Sequence, residues 1–408
     1  MAVWPALLLA CAVGAATGCG GSGSGHGPGT LMIAAGDQQQ GAAGTALAKP
    51  LQVRVVAKDG TDVVPGVTVQ FSTVEGRGAF QDAFAVSDEK GIASAHYTLG
   101  KLPVRNRVSA AITGSSVTFE AHALNTHPPV PTERLTKLPL PGGLAFDNAR
   151  HLLIASQLNG SLVRASPSPS RLSQEFVFDY LYRGKINSAL TGVAVDEAGN
   201  VFACDSRTGA LLEFGGSDTP DIFVDGYQFQ PFSTPDAIAI HPHTHEILFS
   251  DTAQSRIYAV TPSGKPVRVF TEAVSLPTGL AFDTSGDTLY VASQNQGAVL
   301  AVPYGHDGGA GKPSKLDSVP TPEGVAIDAD GNVYVAGTNG KKNGLYVIPA
   351  DGSGTFLYFG AASPKAYTNV AFGRAGFNTS SIYLVSADGS LDEVDVGVPG
   401  LVLPGPPA

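Results

Sequence analysis

From Leu31 to Leu124 the apolar positions recur at every second residue. Leu51, Val53 and Val55 alternate with Gln52 and Arg54. Val67, Val69 and Phe71 alternate with Thr68, Gln70 and Ser72, and Val117 and Phe119 with Thr118 and Glu120. Alternation of this kind predicts strands with one buried face. Asp59-Gly60 and Lys90-Gly91 supply turns with a positive φ at the glycine. Several short strands in a segment of this length predict a β-sandwich.

Beyond this segment the pattern changes to short apolar runs that repeat. Gly143-Leu-Ala-Phe-Asp147 leads to Leu152–Ser156, and Gly192-Val-Ala-Val-Asp196 to Val201–Asp205. Ala237–His241, Gly279–Asp283, Gly324–Asp328 and Asn369–Gly373 each lead to a second run in the same way. A third strand follows every time, as in Gly209–Phe214, and a fourth in most, as in Pro266–Phe270. The anchors at 143, 192, 237, 279, 324 and 369 are spaced 49, 45, 42, 45 and 45 residues apart. A period near 45 with four strands per unit predicts the blades of a β-propeller. Six anchors predict six blades. The sixth unit is short at its end, and Glu133–Leu138 sits where a fourth strand would precede the first anchor. Residues 133–138 are therefore expected to complete blade six and close the ring, which hides sheet edges. The central alanine of each inner run suits strands packed on both faces near an axis.

The expected fold class is all-β, an immunoglobulin-like β-sandwich followed by a six-bladed β-propeller. The expected boundaries are 1–19 for an export signal, 20–29 for a tether, 30–125 for the sandwich, 130–400 for the propeller and 401–408 for a Pro/Gly tail. Val3–Ala16 is apolar and 14 residues long. That is too short to cross a bilayer as a helix and suits the core of a signal peptide. Ala16-Thr-Gly-Cys19 resembles the lipobox of bacterial lipoproteins, although leucine is commoner than Ala16 and no basic residue precedes Lys49. The resemblance implies lipidation of Cys19. Gly20–Gly29 is rich in glycine and serine and reads as a flexible tether. With Cys11 lost in the signal and Cys19 acylated, Cys204 is the remaining thiol, expected to be buried and structural. The expected location is the bacterial cell envelope, as a membrane-anchored lipoprotein at the outer membrane or cell surface. The membrane is then a partner through the lipid anchor alone.

Two families resemble the folded parts. Pro50–Val55, Val64–Phe71, Ser87–Ala93 and Val117–Ala121 look like the group 1 bacterial immunoglobulin-like domain of invasin-type surface proteins, which implies a spacer. The six repeats resemble the senescence-marker-protein/gluconolactonase family and the NHL-repeat propellers. Thr368–Gly373, Ile382–Val385 and Val394–Gly400 carry the best local match.

The residues just before the anchors are Gly142, Thr191, Asp236, Thr278, Glu323 and Thr368, expected at one mouth of the central channel. Two carboxylates and three hydroxyls there would suit Ca²⁺ or another divalent cation. The gluconolactonase resemblance implies a metal at this mouth, held by residues matching Gly142, Leu190, Thr278 and Glu323 here. Only Glu323 among those is a strong ligand. Asp236 and Glu323 are the candidate metal ligands, and Thr191, Thr278 and Thr368 the other mouth residues. His241-Pro-His-Thr-His245 has a spacing that can hold a transition metal and is read as an exposed turn. Asp328-Ala-Asp-Gly-Asn332 starts like a calcium loop but lacks the later glutamate and is read as a turn.

Composition narrows the function. The net charge is −10, from 25 basic and 35 acidic residues. Residues 28–127 are neutral, with eight of each sign, so the excess acid lies on the propeller. That balance favours cations and speaks against nucleic acid as a partner. The sole tryptophan, Trp4, leaves with the signal, which weakens a sugar-binding reading. No nucleophile elbow or phosphate loop is present. The expected function is a binding platform on a spacer, with a protein or small molecule at the propeller face. The alternative is a divalent-metal-dependent lactonase of the gluconolactonase type.

Overall fold

The computed structural model describes residues 28–401, apart from 59, 61, 168–175, 185–186, 216–218, 339, 341, 361–364 and 375. Cys19 and the signal and tether segments lie outside the described residues. The described residues contain strands and turns and no helix.

Two main sheets form the first region, with a small two-stranded one between Ala79–Phe80 and Tyr97–Thr98. Pro28–Ala35, Leu51–Ala57 and Ile92–Ala95 make one; Gln39–Ala42, Ser115–Leu124, Arg105–Ile112, Thr68–Glu75 and Phe84–Val86 make the other. Their inward residues share one core, with Val53 and Val55 from the first sheet against Val69, Phe71 and Phe119 from the second. The alternation is visible in Thr68–Gln70, where Val69 is buried and its neighbours are exposed. This is a β-sandwich built on period-two patterning.

The second region is six four-stranded antiparallel sheets in a ring. The inner strands are Pro141–Phe146, Leu190–Val195, Pro235–Ile240, Pro277–Phe282, Pro322–Ile327 and Tyr367–Phe372. Each packs against the next, and the last packs against the first, so the ring is closed. The sixth sheet takes its outer strand from Thr132–Leu135, which pairs with Leu391–Asp395. The half-buried Arg134–Glu393 ion pair, at 2.8 Å, fastens that seam.

The glycine that follows four of the six mouth positions has a steric reason. A Cβ on Gly192 would lie 2.2 Å from the Asp236 carbonyl oxygen, and one on Gly279 2.2 Å from that of Glu323. Adjacent inner strands thus approach backbone to backbone, which a side chain would prevent.

The sandwich is seated on the ring at the face opposite the inner-strand starts. Leu102 is buried among Tyr358, Tyr367, Phe372 and Val398 of blades five and six. Arg77 pairs with Asp330 in the turn that follows the blade-five inner strand, and Lys101 pairs with Asp395. The Asn125 amide donates to the carbonyls of Leu357 and Tyr358 at 3.0 and 3.1 Å.

Candidate functional site at the channel mouth

Every inner strand is irregular near its start. The pairing with its neighbour shifts between Pro141 and Leu144, Leu190 and Val193, Pro235 and Ile238, Pro277 and Leu280, Pro322 and Val325, and Tyr367 and Asn369. Bulges of this kind re-aim a side chain. They fall on Gly142, Thr191, Asp236, Thr278, Glu323 and Thr368, the six mouth positions.

The three threonines are not free ligands. Thr191 donates its hydroxyl to the Pro235 carbonyl at 2.9 Å, Thr278 to Pro322 at 3.0 Å and Thr368 to Pro141 at 3.0 Å. Each hydroxyl therefore ties an even blade to the bulge of the next odd one. This corrects the expectation of three hydroxyls available to a cation. Leu190 is fully buried in the core between blades one and two, so it faces no ligand. Gly142 has no room for a side chain: a Cβ there would lie 2.8 Å from the Thr191 carbonyl oxygen and 2.9 Å from the Gln157 amide nitrogen.

The chemistry is left to Asp236 and Glu323, both half-buried. Burial pushes the Asp236 carboxyl up to about 6, against the pull of the neighbouring Thr252 hydroxyl. Burial pushes Glu323 up to about 8, with the Asp236 charge adding to it. The Gln294 amide donates to Glu323 at 2.7 Å and opposes the rise. With Asp236 at about 6 and Glu323 at about 8, the two carboxyls hold about one proton between them at neutral pH.

The sequence reading missed Gln157, Thr252 and Gln294. All three stand directly after the second strand of their blades, behind Ser156, Asp251 and Ser293. Aligning the repeats on that column as well as on the anchors would have found them.

The remaining candidates resolve as structure. His241 is buried rather than exposed, with its ring against Phe282 and Tyr304. Its Nδ1 accepts the backbone N–H groups of His243 and Thr244 at 3.1 and 3.0 Å, which fixes the turn. The Asp328 carboxylate accepts the N–H groups of Asp330 and Asn332, the Asn332 amide and the Tyr334 hydroxyl, so it organises its own turn. Cys204 is buried and its thiol is held far above the ordinary range by desolvation.

Fold and mouth together define a closed six-bladed propeller with an acidic pair at one end of its channel. Residues 243–388 match the family model described as the SMP-30/Gluconolactonase/LRE-like region. Among solved structures the chain is similar to a gluconolactonase from Xanthomonas campestris, with 18% identity and a TM-score of 0.55, over 67% of this chain and 95% of that one. It is also similar to a calcium-binding regucalcin from Agrobacterium tumefaciens, with 17% identity and a TM-score of 0.52, over 67% and 97%. A structure described as a putative gluconolactonase gives 16% identity and a TM-score of 0.56, over 67% and 93%. At these identities the likeness is one of fold. No curated protein sequence matches the chain.

Proposed function

We propose that the mouth is a divalent-cation-assisted hydrolytic site for small cyclic esters, in the manner of a lactonase. The observation that carries this reading is that Asp236 and Glu323 occupy the same inner-strand bulge in blades three and five, near enough for the Asp236 charge to act on Glu323. The family match over 243–388 and the gluconolactonase and regucalcin likenesses support it.

The donor set fits such a cation in charge and hardness. Two carboxylates are typical of a site that keeps water or substrate in its other positions. Among the described residues no third His, Cys, Asp or Glu joins them. When bound, the cation supplies Lewis-acid polarisation of the ester carbonyl. The protein's own residues hold and orient. With its carboxyl raised to about 8, Glu323 carries a proton at neutral pH, which cation binding would displace. Gln294 fixes the Glu323 carboxyl through its amide.

Lactone hydrolysis tests the proposal directly. Purified protein with calcium or manganese should open an aldonolactone, and Glu323→Gln should reduce turnover by a factor of about a hundred or more, as expected for loss of a group stabilising transition-state charge. No turnover with any divalent cation would leave the second reading, a cation-dependent binding platform. The blocked Gly142 position, which leaves only two strong ligands, favours that second reading.

The same proposal keeps the N-terminal segment as an export signal with lipid on Cys19, anchoring the protein in the bacterial cell envelope. Cys19→Ser should move the protein from the membrane fraction to the soluble one. Unchanged retention would remove the lipid anchor from the account.

A further inference from the structure

We propose that the channel below the mouth is a second binding site, for a slender amphipathic carboxylate whose apolar body lies in the lumen and whose charge meets Arg374. The lumen is a cavity of about 230 Å³ lined by all six inner strands. Its wall includes Ala145, Ala194, Ala239, Ala281, Ala326 and Ala371, the same position in every blade. Small residues there leave the axis open. An apolar cavity of about 150 Å³ is already enough to take up a benzene-sized guest.

Arg374 is the one charged residue on this wall. It follows the inner strand of blade six, at the end away from Asp236 and Glu323. The equivalent residues of the other blades are Asn148, Glu197, Pro242, Thr284 and Ala329, so the cation is peculiar to this blade. Arg374 is half-buried, and its guanidinium makes no hydrogen bond or ion pair with a described residue. Glu197 acts on it only through space, and desolvation lowers its pKa. A partly desolvated guanidinium whose nitrogens meet only solvent is open to a ligand, and a carboxylate would supply a two-pronged partner. Leu401 lines the same end and is held there: its N–H donates to the Ile327 carbonyl at 3.0 Å, and Gly400 bridges to Asp328. The lower end thus combines apolar side chains with one positive charge that no described residue pairs, which selects an anion carrying an apolar chain.

Decanoate and decanol, titrated calorimetrically in cation-free buffer, test this. The wild-type protein should bind one decanoate saturably and prefer it to decanol. Arg374→Gln should weaken decanoate by about tenfold or more, the scale of a lost charge-assisted pair, and leave decanol unchanged. Ala281→Leu should abolish both by filling the lumen, and Ala145→Val provides a milder narrowing should the larger residue impair folding. Glu323→Gln should leave both ligands unaffected, which separates this site from the mouth. Absence of saturable decanoate binding to the wild type would overturn the proposal. So would equal binding by Arg374→Gln, or wild-type binding by the narrowed variants.

Discussion

The odd and even blades share one backbone and differ in what their bulges hold. In blades two, four and six the bulge carries threonine, and its hydroxyl is spent on the next blade's carbonyl. In blades one, three and five it carries Gly142, Asp236 and Glu323, and the two acids turn to the mouth. A repeat unit can therefore fix the ring with one half of its copies and leave the other half for chemistry. The comparison also shows the limit of that freedom, because Gly142 is held empty by Thr191 and Gln157.

The largest test breaks both sets at once. Deleting residues 130–139 removes the outer strand of blade six and the Arg134–Glu393 pair. The ring should lose cooperative thermal unfolding while the sandwich, with its own core, keeps its transition in calorimetry. A melt identical to the intact protein would contradict closure through Thr132–Leu135.

Next in size is the acid pair. Both carboxyls have folded pKa values above the ordinary carboxylate range, so the folded state binds their protons more tightly than the unfolded chain does. Their contribution is present in acid and is lost as pH rises through about 6 for Asp236 and about 8 for Glu323. Without cations the melting temperature should fall between pH 5 and pH 9, by about 2–4 °C for each kcal/mol lost in a domain of a few hundred residues or somewhat less. Calcium at a hundredfold excess over its dissociation constant should restore about 2.7 kcal/mol at pH 8. Asp236→Asn with Glu323→Gln should remove both the pH slope and the calcium response. A slope that survives in the double variant would place the titration elsewhere.

Gly142→Ala sharpens the difference within the odd blades. The added methyl meets the Thr191 carbonyl, and a loss of about 1–3 kcal/mol should follow in denaturant melts. Smallest is Thr278→Val, which removes one inter-blade hydrogen bond. It should cost about 1 kcal/mol and leave the calcium response intact. Loss of that response would return the even blades to the ligand set.

The ring was legible because each anchor glycine is demanded by backbone contact, so it recurs at a readable spacing. Period-two burial made the sandwich strands legible for the same reason. The direction of the threonine hydroxyls was not legible. It depends on a bulge and on the carbonyl of a residue 44 positions away, as with Thr191 and Pro235. His241 was misread because its aromatic cover comes from Phe282 and Tyr304 in another blade. Asp236 and Glu323 were named from their column, yet the effect of the Asp236 charge on Glu323 follows only from the closed ring.

The seating of the sandwich has an orienting effect. Its loops at 76–78 and 101–105 meet the ring, while Leu31 bonds to Ser115 at the far end of the strand Ser115–Leu124. That strand has ten residues, which at roughly 3.4 Å each gives a plinth about 30 Å tall. The chain enters the plinth at its foot, and the acidic mouth opens from the opposite side of the ring. The entry of the chain into the sandwich and the acidic mouth of the ring therefore lie at opposite ends of the described residues.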